Sequence, residues 1–221
     1  NIFTMKFMYA IIFTCISSFA FSQRTICPDV EGAVDHPLLS KYKNSCIVAY
    51  DESKFNQVTF PISTIKYNKG IWKAEKEITE EGKVTSIIYG IENTENATVL
   101  EVQRNYEQAL KNGDFEIMYS AFGSKSFGYR RLGPTYKIIG NRPVIDNYKN
   151  QKSKSKFRFS MSTHNKNINA DDAYFVAKGK RNGKIYTLAI LIHYNRTSWK
   201  GLTDNIFVQA VIVEREDIET G

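Results

Sequence analysis

Thr98-Val99-Leu100-Glu101-Val102-Gln103-Arg104-Asn105-Tyr106-Glu107-Gln108-Ala109-Leu110-Lys111-Asn112-Gly113 is the stretch that decides the fold. Val99, Val102, Tyr106, Ala109 and Leu110 recur at three- and four-residue steps, which puts one apolar stripe on a helix. Thr98 and Glu101 have the spacing of a capping box. The hydroxyl can accept from the Glu101 backbone N–H while the carboxylate reaches back to the start of the helix. Gly113 is expected to end the helix as a left-handed cap residue. Val84 to Ile91 before this helix is rich in β-branched and aromatic residues, and Phe115 to Ala121 after it resumes a strand pattern. Strand, capped helix and strand read as a βαβ-like unit with one helix packed on a sheet.

The rest of the chain is β. Cys46 to Tyr50, Gln57 to Ile62 and Ile71 to Ile78 read as three short strands, and Glu81-Gly82-Lys83 reads as a turn. Ala173 to Lys178 and Lys184 to Tyr194 flank Arg181-Asn182-Gly183, and Asn-Gly between two such runs is a hairpin signal. Ile206 to Glu214 is the final strand. Gly123 to Gly140 reads as a loop with a short strand at Thr135 to Ile139. Lys149, Lys152, Lys154 and Lys156, followed by Lys166, read as a solvated basic connector. The fold class is α+β: a mostly antiparallel sheet with one principal packed helix at about 99–112 in a strand-helix-strand unit. There is no internal repeat and no heptad pattern.

The N-terminus has the order of a secretory signal. Met5-Lys6 is a positive start, Phe7 to Phe21 is almost wholly apolar, and Ser17-Ser18-Phe19-Ala20-Phe21-Ser22 offers small residues to a peptidase. The apolar run of about 15 residues is short of the roughly 20 that a spanning helix needs. The expectation is a removed signal at 5–22 and a mature single domain at 23–221. Ser22 is the favoured cut and Ala20 the alternative; a lipoprotein signal would use Cys15, with a very short hydrophobic region before it. Asn1-Ile2-Phe3-Thr4 precedes the only sensible start, Met5, so the natural chain is expected to continue past Gly221.

Lys+Arg number 30 and Asp+Glu 23, a net charge of +7. Lys6 is the only charge before Gln23, so the mature chain carries +6. That balance could suit anionic envelope partners such as lipid head groups, teichoic acid or peptidoglycan carboxylates; the favoured reading is plain solubility with a lysine-rich loop. Nucleic acid is not expected as a partner of an exported domain. Of the 3 cysteines, Cys15 leaves with the signal. Cys27 and Cys46 in an oxidising compartment are expected to form a disulfide, contributing about 3 kcal/mol in the chain-entropy model. The alternative is a buried, unpaired Cys46.

Candidate chemistry is sparse. His36, His164 and His193 share no metal-ligand spacing. Cys27, His36 and Cys46 could approach a zinc site but lack a fourth ligand. His193 alternates with apolar neighbours and reads as a surface or edge residue. Ser45 and Ser124 have no Gly-x-Ser-x-Gly context. Lys125-Ser126 lacks the glycine a phosphate loop needs before its lysine. Glu80 and Glu81 read as ordinary acids of a solvated loop. No catalytic, cofactor or metal residue is singled out, and the two mature cysteines are the only site residues named.

Several segments together resemble one family. They are Asp29-Val30-Glu31-Gly32 with Asp35-His36-Pro37-Leu38-Leu39, then Glu81-Gly82-Lys83-Val84-Thr85 with Tyr89. Leu100-Glu101-Val102 and Arg104 to Leu110 follow, ending in Gly113-Asp114-Phe115-Glu116, and Phe207-Val208-Gln209-Ala210-Val211 closes the chain with Glu214 and Glu219-Thr220-Gly221. The resemblance is to the uncharacterised N-terminal module of bacterial OmpA-family envelope proteins, and it covers most of Asp29 to Gly221. It implies a location in the periplasm or at the outer membrane, with peripheral membrane contact at most. Peptidoglycan or envelope proteins would be reached through a C-terminal domain that this chain does not include. The leading reading is a non-enzymatic scaffold or interaction module. The alternatives are a binding module for an anionic glycan or lipid, and a hydrolase with dispersed catalytic residues.

Overall fold

The computed structural model describes residues 29–69, 71–92, 97–123, 172–195 and 205–216. The signal segment, Cys27, the strand expected at Thr135 to Ile139, His164 and the lysine run at Lys149 to Lys156 with Lys166 lie outside the described residues. The elements in chain order are β1 (Ser45–Pro61), β2 (Ile65–Asn68), β3 (Ile71–Ala74), β4 (Glu77–Glu92), α1 (Val99–Asn112), β5 (Glu116–Phe122), β6 (Ala173–Arg181), β7 (Lys184–Asn195) and β8 (Asn205–Glu216). Six strands form one sheet in the order β1-β4-β8-β7-β6-β5, and every neighbouring pair is antiparallel. Strands β2 and β3 form a separate hairpin.

This topology is the expected antiparallel sheet with one packed helix, but the strand-helix-strand unit is wider than a simple βαβ. The chain leaves β4 through α1 and starts again at β5, the far edge of the sheet. The meander β5-β6-β7-β8 then returns to pair with β4. Strands β4 and β5 therefore run in the same direction with three strands between them. A helix of 14 residues is about 21 Å long, close to the roughly 19 Å that four strand spacings cover. Helix α1 packs on β5, β6 and β7.

Three of the expected boundaries are corrected by the strand pairing. Cys46 to Tyr50 and the expected second strand, as far as Pro61, belong to one 17-residue strand, bent by irregularities between Ile47 and Ala49 and between Ser53 and Asn56; Ile62 lies just beyond it. Glu81-Gly82-Lys83 is not a turn, because β4 runs straight through it, with Gly82 opposite Asn56. Strand β8 explains the glycine: a Cβ at position 82 would lie 2.2 Å from the Glu214 carbonyl oxygen. Ile71 to Ile78 is divided between β3 and the start of β4. The Asn182-Gly183 turn is as expected. Both residues have positive φ, 51° and 71°, the geometry whose twist matches a two-residue hairpin.

Burial explains why β7 and β8 read as continuous apolar runs. On one face Ile47, Ile87, Tyr89, Leu188, Ile190 and Val208 lie beneath Val99, Val102, Tyr106 and Leu110 of the helix. On the other, Phe60, Val84, Tyr174, Val176, Leu191 and Val211 pack with Ile65 and Ala74 of the β2–β3 hairpin. Cys46, Val48, Ala49, Ile88 and Phe207 form a smaller cluster. A strand covered on both sides has no polar face to alternate with.

The helix is where the sequence pattern is most closely followed. Its bounds match, and the Thr98 hydroxyl accepts from the Glu101 backbone N–H at 3.1 Å. The other half of the box is replaced: Glu101 Oε1 accepts from the Tyr42 hydroxyl at 2.8 Å. Gly113 is not left-handed, with φ −96°. The next residue, Asp114, takes that conformation with φ 63°. The N–H groups of both Gly113 and Phe115 then donate to the Leu110 carbonyl. Ala109, expected in the apolar stripe, is exposed. The buried face is rotated toward Gln103 and Glu107, because the helix leans on β5 at that side.

Candidate functional site

Residues 29–44, a polar and turn-rich lead-in, lie as a strap across the helix-covered side of the sheet. At one end the strap caps the edge strand. The Ile47 N–H donates to Asp29 Oδ1 at 2.7 Å, and the Val30 N–H donates to the Ile47 carbonyl at 2.9 Å. Val30 and Leu39 plug into the core. Lys41 pairs with Asp29 and, at 3.5 Å, with Asp35. Tyr42 reaches Glu101 of α1, and Arg181 Nη1 of β6 donates to the Pro37 carbonyl at 3.2 Å.

Among the described residues, a group of titratable side chains gathers around the strap's histidine. His36 is only 9% exposed. Its ring meets Tyr186 of β7 edge-on, with centroids 6.0 Å apart and planes at 81°. Its Nδ1 accepts from the Leu38 backbone N–H at 3.3 Å. Lys184 Nζ pairs with Glu214 Oε1 at 2.6 Å and with Glu216 at 3.6 Å. Lys83 pairs with Glu52 at 3.0 Å, and the Tyr50 hydroxyl donates to Glu52 Oε2 at 3.2 Å. Burial pushes His36 below its ordinary range, helped by the charge of Lys83 and opposed by Glu214 and Glu52. Burial would raise Glu214, but the Lys184 ammonium holds it below the usual carboxylate range.

This arrangement is one of internal pairing. The nitrogen of neutral His36 that could take a proton from a substrate already accepts from Leu38, which fixes the Nε2–H tautomer. The carboxylates of Glu52 and Glu214 are each held by a lysine. Of these groups it is His36 that ties the strap to the sheet, through Leu38 and Tyr186.

On the opposite face Glu80 collects three donors: Lys178 Nζ at 2.6 Å, Thr187 Oγ1 at 3.2 Å and Arg215 Nε at 3.4 Å. Its side chain is 11% exposed, so the solvated-loop reading of Glu80 is corrected. The residue lies within β4, where β6, β7 and β8 all reach it. Glu81 is the solvated one of the two and accepts from Gln57 Nε2 at 2.8 Å.

A third polar group sits between α1 and the edge strand β5. Gln103 Nε2 donates to Glu107 Oε1 at 2.8 Å and to Ser120 Oγ at 2.9 Å. Ser120 donates to the same carboxylate oxygen at 2.5 Å, and Arg104 Nη1 pairs with Glu107 Oε2 at 2.7 Å. Burial alone would raise Glu107, but the bonds from Ser120, Arg104 and Gln103 outweigh it and hold the carboxyl low. A carboxyl lowered in the folded state stabilises above its unfolded pKa, and that stabilisation is lost as pH falls through the folded value. Glu107→Gln is therefore expected to cost roughly 1–3 kcal/mol near neutral pH and progressively less in acid. Urea unfolding of both proteins over a pH series checks this; a difference that does not change with pH would refute it.

His193, expected at a surface or edge, is 6% exposed and stacks on Phe207 with centroids 5.5 Å apart. Alternation alone misread it, because both faces of β7 are covered. His36 and Cys46 do not converge. His36 is on the helix-covered side against Tyr186, while Cys46 points to the other side of β1 from Ile47, among Val48, Ile88 and Phe207. Among the described residues no group of three His, Cys, Asp or Glu side chains could hold a metal ion. Ser45 Oγ donates to the Tyr42 carbonyl at 2.7 Å, as a turn residue. Sequence reasoning missed Tyr186, Glu214, Gln103 and Glu107. The four-residue spacing of Gln103 and Glu107 was the one local signal available. Among the described residues no helix is long and apolar enough to cross a membrane. No family model and no curated protein matches the chain.

Proposed function

We propose that the chain is an exported, non-enzymatic module of the bacterial cell envelope, a scaffold or interaction domain of the kind that stands N-terminal in OmpA-family proteins. Its work would be done in the periplasm or at the outer membrane. The observation that carries the reading is the docking of the strap beside Cys46. Asp29 and Val30 bond both backbone groups of Ile47. Cys27 precedes Asp29 by two residues, a span of at most about 7 Å, so it is in chain reach of Cys46. The Cys46 sulfur is buried, with 1% of the residue exposed. A Cys27–Cys46 disulfide would fasten the start of the mature domain to its edge strand, and such a bond persists in an oxidising compartment.

The charged clusters support a scaffold over an anion binder. Lys41, Lys83, Arg104, Lys178, Lys184 and Arg215 are each drawn to a carboxylate of the same domain. Mass spectrometry of the exported, non-reduced protein is expected to find a peptide joined through Cys27 and Cys46 and a mature N-terminus at Gln23. Two alkylatable thiols, or a cytoplasmic protein with Phe7 to Phe21 intact, would overturn the reading.

A further inference from the structure

We propose that residues 29–44 form a pH-released latch: neutral His36 pins the strap against the sheet, and protonation of its imidazole lets the strap go while the sheet stays folded. The strap is attached by the burial of Val30 and Leu39 in the helix-side core and by a few separate bonds, with no strand ladder. Asp29 and Val30 hold Ile47, Arg181 holds Pro37, and Tyr42 holds Glu101. Its middle depends on His36, whose Nδ1 closes the turn onto the Leu38 N–H and whose ring is wedged on Tyr186. A protonated Nδ1 is a donor. It would face another donor at 3.3 Å, and the charge would sit where the ring is only 9% exposed.

The groups facing the imidazole pull in both directions. Glu214 of β8 and Glu52 of β1 favour the charged ring, Lys83 of β4 opposes it, and burial opposes it most. Lys184 of β7 already pairs with Glu214, and the Arg181 guanidinium of β6 donates beside the ring to Pro37. The net effect lowers the folded-state value, so the released strap binds a proton more readily than the latched one. The latch is then fully held above the ordinary imidazole range and weakens as pH falls through it. Release would uncover Tyr186 and Leu39 and loosen the bonds of Asp29 and Val30 to Ile47, while a Cys27–Cys46 bond would keep the strap tethered beside that edge.

Amide hydrogen exchange on the full chain tests this, at about pH 7.5 and about pH 5 with rates corrected for intrinsic exchange, either side of the ordinary imidazole value. Protection of Val30, Leu38 and Ile47 is expected to fall roughly fivefold at the lower pH, the scale of one lost hydrogen bond. Leu188 and Ala210 in the sheet should keep theirs. His36→Asn offers Oδ1 to the Leu38 N–H without titrating, and its strap should stay protected at both pH values. Equal loss in His36→Asn, no loss in the wild type, or parallel loss at Leu188 and Ala210 would each overturn the latch. The wild type supplies a second measurement that needs no variant. The His36 titration midpoint from ring proton shifts should coincide with the midpoint of protection loss, and two separated midpoints would refute the coupling.

Discussion

Val102→Asp is expected to lower the melting temperature by about 10 °C or more, or to leave no folded protein. Val102 has no exposed surface and lies in the helix-side core. The helix packs there on β5, β6 and β7. A carboxylate at this position would stand among the apolar side chains of that core, and an uncompensated buried charge costs roughly 3–5 kcal/mol. In a domain of this size each kcal/mol moves the midpoint by about 2–4 °C. Leu100→Asp is the matched control, since Leu100 is 40% exposed on the opposite side of the same helix. It should change stability by no more than about 0.5 kcal/mol. Thermal unfolding followed by circular dichroism separates the two, and a Val102→Asp midpoint within about 2 °C of wild type would show that this face carries no core.

Gly82→Ala is expected to be the most damaging single-methyl change in the sheet. The added carbon would stand 2.2 Å from a backbone oxygen of β8 and 3.0 Å from its carbonyl carbon. A side chain can swing away from such a collision, but a paired strand cannot. Strands β4 and β8 would have to separate where Lys83 faces Glu214. That disturbs the Glu214–Lys184 pair below it. Overpacking of this kind costs roughly 1–3 kcal/mol, and backbone displacement pushes toward the upper end. Gly183→Ala isolates the other role of glycine. Its φ is +71°, and an added methyl would meet nothing within 4 Å, so only the left-handed backbone is penalised, by about 1 kcal/mol. Denaturant midpoints should rank Gly82→Ala below Gly183→Ala; the reverse order would mean that β8 yields without cost.

The same contrast divides what was legible in the chain. Local physics wrote the helix: the Thr98 cap, the four-residue steps of Val102, Tyr106 and Leu110, and Gly113 just past the end all act within a few residues of themselves. The Asn182-Gly183 turn is equally local, since two positive φ values are a property of the turn alone. The mostly antiparallel fold with one packed helix followed from those signals. Gly82 looked like a turn because glycine has one symbol for two purposes, and only the approach of Glu214, more than a hundred residues on, separates them. His193 and Glu80 looked solvated because alternation and charge describe a strand by itself. Their burial comes from what crosses over them: Phe207 for the histidine, and β6, β7 and β8 together for the glutamate. The meeting of His36 with Tyr186 spans 150 positions, and no period or spacing carries information over that distance. Thus the sequence by itself determined the helix, the Asn182-Gly183 hairpin and the last strands, through short-range capping, turn and burial preferences. Only the tertiary structure decided which face of each strand is covered and which charges are brought together, because those depend on the strand order, and strand order is set by long-range packing.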